Sequence, residues 1–220
     1  MRNVLFAFCL IASQGFAGTI ISIDQLPANT EHGTYNGFVT ATVNGVPGIQ
    51  LICDDYYHST VVPSGDLVYH ESELVAFSPL QNVRFVTAGG PTSHDLALYM
   101  QAALIIEGIT NTGPSHTPDL TADYQYALWH LFDSSVSLWR PAQQDILNQT
   151  AWQVQNNSSN YTDLYARLRI YTPTAAYGSN QEFLGLDAPI QSPEPASGAL
   201  LGIAVGLFSL LAYRRRPRER

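Results

Sequence analysis

Lysine is absent from all 220 residues, and arginine is scarce and misplaced: five of the ten arginines fall in the last seven positions. Between Gly18 and Ser192 only Arg84, Arg140, Arg167 and Arg169 stand against sixteen carboxylates, a formal charge of −12 for that stretch. A surface of that sign repels phosphate backbones, which excludes nucleic acid as a partner. The lack of lysine also leaves the chain without side-chain amines to acylate. Cysteine is nearly missing. Cys9 lies in the leading segment, so Cys53 is the lone thiol of the main body and an intramolecular disulfide is excluded. No CxxC, HExxH or EF-hand spacing occurs, and no internal repeat. Charged residues make up 13% of the chain against 45% hydrophobic and 11% aromatic, a balance that favours a packed core over disorder.

What is present is most specific at the two ends. Residues 1–17 have a basic start at Arg2, an apolar run from Val4 to Ala12, and small residues at Gly15 and Ala17. Those are the parts of a secretory signal peptide, with cleavage expected after Ala17 by a signal peptidase. Residues 189–195 read as a linker ending in Pro193, Glu194 and Pro195; residues 196–213 carry no charge; residues 214–220 hold Arg214, Arg215, Arg216 and Arg218. Eighteen helical residues reach about 27 Å, which leads to the expectation of a transmembrane helix with the basic tail in the cytoplasm and the body outside. In order and composition this end resembles the PEP-CTERM sorting signal. The resemblance implies a Gram-negative source, an exosortase-like processing enzyme, passage by way of the inner membrane, and a destination at the cell surface or in the extracellular matrix with its exopolysaccharide.

Residues 18–188 remain for one exported domain. The pattern predicts strands over Phe38–Val43 and Ile49–Cys53, joined at Asn44-Gly45 as a hairpin, with further strands at Leu67–Tyr69 and Val83–Val86. After Gly89-Gly90-Pro91 the spacing turns helical, over His94–Glu107 with a stop at Gly108, Leu120–Asp133, Pro141–Gln155 and Tyr161–Leu168. Residues 170–186 are ambiguous, with a returning strand over Glu182–Leu186. The expected fold class is α+β: a β-rich N-terminal half with a hairpin, a helical C-terminal half and the C-terminal transmembrane helix.

Two residues of the body invite chemistry. Cys53 ends the apolar run Leu51-Ile52-Cys53 and is followed by Asp54-Asp55-Tyr56-Tyr57. Gln125 begins Gln125-Tyr126-Ala127-Leu128-Trp129, where helical spacing sets its amide beside Leu128, Trp129 and Phe132. A buried amide without partners costs about 1 to 3 kcal/mol, so this one needs a reason to be there. The two segments, in this order, resemble the Cys-Gln thioester domains of bacterial surface adhesins. The resemblance implies an internal thioester between Cys53 and Gln125, opened once by a surface nucleophile to leave a covalent tether, with Asp55, Tyr56, Tyr126 and Trp129 as the supporting shell. Two other readings of Cys53 stand beside it: an inert core thiol, and a reactive thiolate paired with His58 or His130. A calcium cluster of Asp54 and Asp55 with Asp123 or Glu107 is a weaker idea, and no metal or cofactor is expected. The reading at this point is a non-enzymatic surface or matrix protein, either a covalent adhesin or a non-covalent structural protein that binds exopolysaccharide through aromatic side chains.

Overall fold

The computed structural model describes residues 18–74, 82–88, 90–111 and 117–187. Within Val39-Thr40-Ala41-Thr42-Val43 every second residue is apolar, which gives strand β4 (Val39–Val43) one buried and one half-buried face. Asn44 and Gly45 then take φ of 49° and 81°, the double positive φ that a two-residue reversal requires, and the chain returns as β5 (Val46–Cys53). Strand β1 (Thr19–Gln25) pairs with β4 on one edge, Ile21 opposite Val43, and on its other edge with β6 (Leu67–Glu73). Late in the chain β7 (Leu168–Pro173) and β8 (Phe183–Leu186) fill the gap between β6 and β5. The result is a closed six-stranded antiparallel barrel in the order β1-β4-β5-β8-β7-β6, beside which β2 (Asn29–Glu31) and β3 (Thr34–Asn36) form a separate two-stranded ribbon.

The alternation decides what lies inside. Ile21, Ile23, Val39, Ala41, Leu51, Cys53, Tyr69, Tyr171 and Phe183 pack together as one cluster, the barrel interior. Residues of the opposite phase, Ile52, Leu168, Ile170 and Leu184, face outward onto helices α1 (Ser93–Asn111), α2 (Pro118–Phe132), α3 (Pro141–Asn157) and α4 (Thr162–Arg167), where they meet Ile105, Ile106 and Leu128. Each such fully buried aliphatic chain stabilises the fold by about 1.5 to 3 kcal/mol. Helix α2, which matters most for the site, starts where Thr117 accepts a hydrogen bond from the Leu120 N–H at 3.2 Å, with Pro118 in the first turn. Helices α1 and α3 are tied by Gln101, whose amide donates to the Leu147 carbonyl at 2.8 Å and to the Thr150 hydroxyl at 3.0 Å.

This architecture corrects the sequence reading of the fold class. The C-terminal half is not purely helical: it supplies β7 and β8, without which the barrel stays open. The returning strand expected over Glu182–Leu186 is there as β8, whereas β7 has no alternation to mark it: it is buried at five of six positions, facing the interior on one side and the helices on the other. The strand expected over Val83–Val86 is absent, because the Arg84 N–H donates to the Glu182 carboxylate at 2.8 Å and not to a neighbouring strand. Gly108 does not stop α1; it lies inside the helix, where the Tyr124 ring occupies the space of a side chain, 2.5 Å from where a Cβ would stand. The helix expected to reach Leu168 ends at Arg167, and Leu168 opens β7.

The transmembrane helix is likewise no part of the described fold: among the described residues no helix is long and apolar enough to cross a membrane. The span 196–213 lies outside the described residues, as do the signal peptide 1–17, Pro193, Glu194 and Pro195, and the arginine cluster 214–220.

Candidate functional site

Strand β5 carries Cys53 at its last position, with the side chain in the barrel interior and Phe183 of β8 as its cross-strand partner. Helix α2 lies over this end and delivers Gln125, which is 1% exposed. The amide is held at both ends. Its Nε2 donates to the Cys53 carbonyl at 2.7 Å, and its Oε1 accepts from the Gly37 N–H at 3.2 Å. The structure therefore brings the two sequence-predicted residues together, and both line one cavity of about 320 Å³. Gly37 was not foreseen. Its φ of +108° suits glycine, and a Cβ there would stand 2.9 Å from the Thr121 methyl. The backbone can approach the amide only because that side chain is missing.

Cys53 is a free buried thiol. Its Sγ donates to the Asp55 carbonyl at 2.9 Å and accepts from the Asp55 N–H at 3.3 Å, which fixes the sulfur within the turn that follows β5. Burial pushes the thiol well above its ordinary pKa; the Trp129 indole N–H and Arg84 work in the opposite direction. The same indole N–H has no oxygen or nitrogen acceptor among the described residues. A resting thiolate is therefore disfavoured, while a sulfur that gains negative charge has donors waiting.

The supporting residues divide into two groups. Trp129 lines the cavity, with Tyr56 edge-on to it at 5.1 Å and Tyr126 at 5.2 Å; Tyr57 stacks edge-on against Tyr56 at 5.2 Å. Tyr126 is buried behind Trp129, and Tyr56 and Tyr57 are exposed at the mouth. Asp55, 3% exposed, is the polar anchor: it forms an ion pair with Arg84, and its Oδ1 accepts from the backbone N–H groups of Tyr57 and His58, each at 3.2 Å. Arg84 also donates to the Gly178 carbonyl at 2.9 Å, which joins this turn to the segment before β8.

Asp54 points the other way, toward the helices, and meets Glu182. The two are 1% and 0% exposed. Glu182 accepts from the Arg84 N–H, from the Tyr99 hydroxyl at 2.8 Å and from the Thr172 hydroxyl. Burial raises the pKa of both carboxyls, but the hydrogen bonds that Glu182 accepts hold its rise back, so Asp54 is the member of the pair that keeps a proton more readily. Burial and the neighbouring Glu182 raise the Asp54 pKa well above the usual carboxylate value. This pair had no sequence signal, because its members are 128 positions apart.

The carboxylates considered for calcium do not converge. Asp54 meets Glu182, Asp55 meets Arg84, Asp123 pairs with Arg140 at 2.8 Å and Glu107 with Arg167 at 3.2 Å. Of the two histidines considered as bases, His130 is turned to the Val136 carbonyl at 2.7 Å, whereas His58 lines the cavity with Cys53 and Gln125.

No protein-family model matches the chain, and no curated protein matches it. Among solved structures the chain is similar to the N-terminal thioester domain of fibronectin-binding protein SfbI from Streptococcus pyogenes, at 11% identity and a TM-score of 0.40, covering 78% of this chain and 94% of that one. It is also similar to the N-terminal domain of the Streptococcus pyogenes pilus tip adhesin Cpa, at 12% identity and a TM-score of 0.43, covering 76% of this chain and 92% of that one.

Proposed function

We propose that Cys53 and Gln125 close an internal thioester and that the protein uses it once, as a covalent adhesin, to acylate a nucleophile on a neighbouring surface. The observation that carries this is the clamp on Gln125. Its carbonyl oxygen takes the Gly37 N–H and its nitrogen is held on the backbone carbonyl of Cys53, so the amide is fixed to the residue that bears the body's lone thiol, in the cavity both residues line. Attack of Sγ on the amide carbon forms the C–S bond and breaks the C–N bond. The thiol proton leaves with the nitrogen as ammonia, and the Gly37 N–H stabilises the oxygen that becomes negative on the way. Trp129, with Tyr126 buried behind it, gives the acyl group an apolar wall, and the absence of lysine removes internal competitors.

One event per molecule makes this stoichiometric chemistry, not turnover. Export, with signal peptidase and an exosortase-like enzyme as processing partners and a surface or extracellular destination, is proposed from the end segments alone. A second reading, non-covalent binding of exopolysaccharide, is favoured by the exposed Tyr35 and Tyr56, which line the cavity, and by Tyr57 packed against Tyr56.

Methylamine treatment separates the two readings. Under the first, peptide mapping finds one methylamide, on Gln125, with Cys53 becoming alkylatable in equal amount, and Cys53→Ala abolishes surface attachment. An unlabelled Gln125 together with undiminished attachment of Cys53→Ala would leave only the second.

A further inference from the structure

The cavity that holds Cys53 and Gln125 contains one more reactive side chain. His58 lines it, and the ring is 42% exposed, so a solvent-borne group can reach it. The ring is also oriented. Nδ1 lies 2.9 Å from Asp55 Oδ1, and Asp55 is itself fixed by Arg84 and by the Tyr57 and His58 backbone N–H groups. A carboxylate accepts and does not donate, so in the neutral ring the hydrogen sits on Nδ1 and the Nε2 lone pair is left as a base. Among the described residues Nε2 makes no hydrogen bond. Closing the thioester needs no such group, since the thiol proton leaves with the ammonia. The histidine is therefore unused by the chemistry proposed so far.

We infer that His58 is the catalytic base for opening the thioester and that the acceptor class is the hydroxyl of a carbohydrate or polyol. This rests on the thioester reading above. An unprotonated amine attacks a thioester unaided, whereas a hydroxyl at neutral pH is a poor nucleophile until its proton is taken as the new bond forms. An oriented imidazole in the cavity that holds the acyl group answers the second requirement and is superfluous to the first. The walls fit the same class: Tyr35 and Tyr56 offer ring surface to the C–H face of a sugar, and Ser59, Thr60 and Gln181 line the same space with hydrogen-bonding groups. In the step itself Nε2 takes the hydroxyl proton, the oxygen adds to the Gln125 acyl carbon and the Gly37 N–H holds the oxyanion. Collapse breaks the C–S bond, and the imidazolium returns the proton to Cys53. The products are an ester on the residue-125 side chain and a free thiol.

The test compares the wild-type chain with His58→Gln, following adduct formation with glycerol and, separately, with methylamine by intact mass. His58→Gln is expected to retain the ammonia-deficient mass and to form the glycerol ester about 100-fold more slowly, while the methylamine rate stays within about twofold. Equal glycerol rates in the two proteins overturn the inference while leaving the thioester in place. A variant that never loses ammonia, beside a wild type that does, also overturns it, by putting His58 in bond closure. A wild type with no ammonia-deficient mass defeats the thioester reading itself, and the inference with it.

Discussion

Replacing Asp54 by asparagine should make the protein more resistant to denaturant at neutral pH, although it alters a buried polar residue next to the reactive thiol. In the folded chain Asp54 keeps a proton that the unfolded chain gives up above its ordinary pKa of about 3.9. Unfolding therefore releases a proton, and raising the pH favours unfolding. The contribution is neutral below the unfolded value and grows more unfavourable up to the raised folded value. Within that window its slope is about 1.4 kcal/mol per pH unit. Asparagine has nearly the same shape and has no proton to lose. Apart from Glu182, whose titration depends on Asp54, all other titrations are shared, so the stability difference between variant and wild type isolates this pair. With a urea m-value of about 2 kcal/mol/M, the midpoint difference should widen by about 0.7 M for each pH unit above about 4.5 until it levels off. Urea titrations of both proteins across mildly acidic to neutral pH measure it. Curves that stay parallel would refute the claim that Asp54 is held protonated.

Arg84→Met removes the guanidinium partner of Asp55 and should cost about 3 kcal/mol, read as a lower urea midpoint, because a nearly buried carboxylate is left with no permanent positive charge beside it. Gly37→Ala should destabilise by about 1 to 3 kcal/mol, since alanine resists φ of +108° and its methyl meets Thr121, and it should also slow ammonia loss as the N–H draws back from Gln125. At Gln101 the change to leucine leaves the α3 groups it served without their donor, for an expected loss of about 1 to 3 kcal/mol in thermal or chemical unfolding. On the acid side, Asp95 is pushed up by burial but held down to about 2 by hydrogen bonds from Thr92 and Thr87. Its stabilisation is present above the ordinary aspartate pKa and lost as the pH falls through about 2, and Asp95→Asn should remove that part of the acid transition.

The residues at the centre of the site could be read from the sequence because their signals are local. A lone cysteine at a strand end and a glutamine on the apolar side of a helix are visible one segment at a time, and the Asn44-Gly45 reversal announces the hairpin that carries Cys53. What could not be read depends on distant partners. Closure of the barrel rests on β7, whose double-sided burial erases the alternation that marks a strand, and on pairings such as His70 with Thr172 across a hundred residues. Gly37 contributes a backbone N–H, which no side-chain pattern records. Arg84 suggested a strand but serves as a link between the Cys53 turn and the segment before β8. His58 was considered as a base for a free thiolate; its position in the cavity beside Gln125 gives it a different partner.

The central claim is a covalent bond between Cys53 and Gln125, and the intact mass of the untreated protein, set against that of its Gln125→Ala variant, tests it most directly. The account predicts that the wild type falls short of its sequence mass by one ammonia, that the variant does not, and that only the variant's Cys53 is alkylated under denaturing conditions. A wild type at full sequence mass with a freely alkylated Cys53 would contradict it.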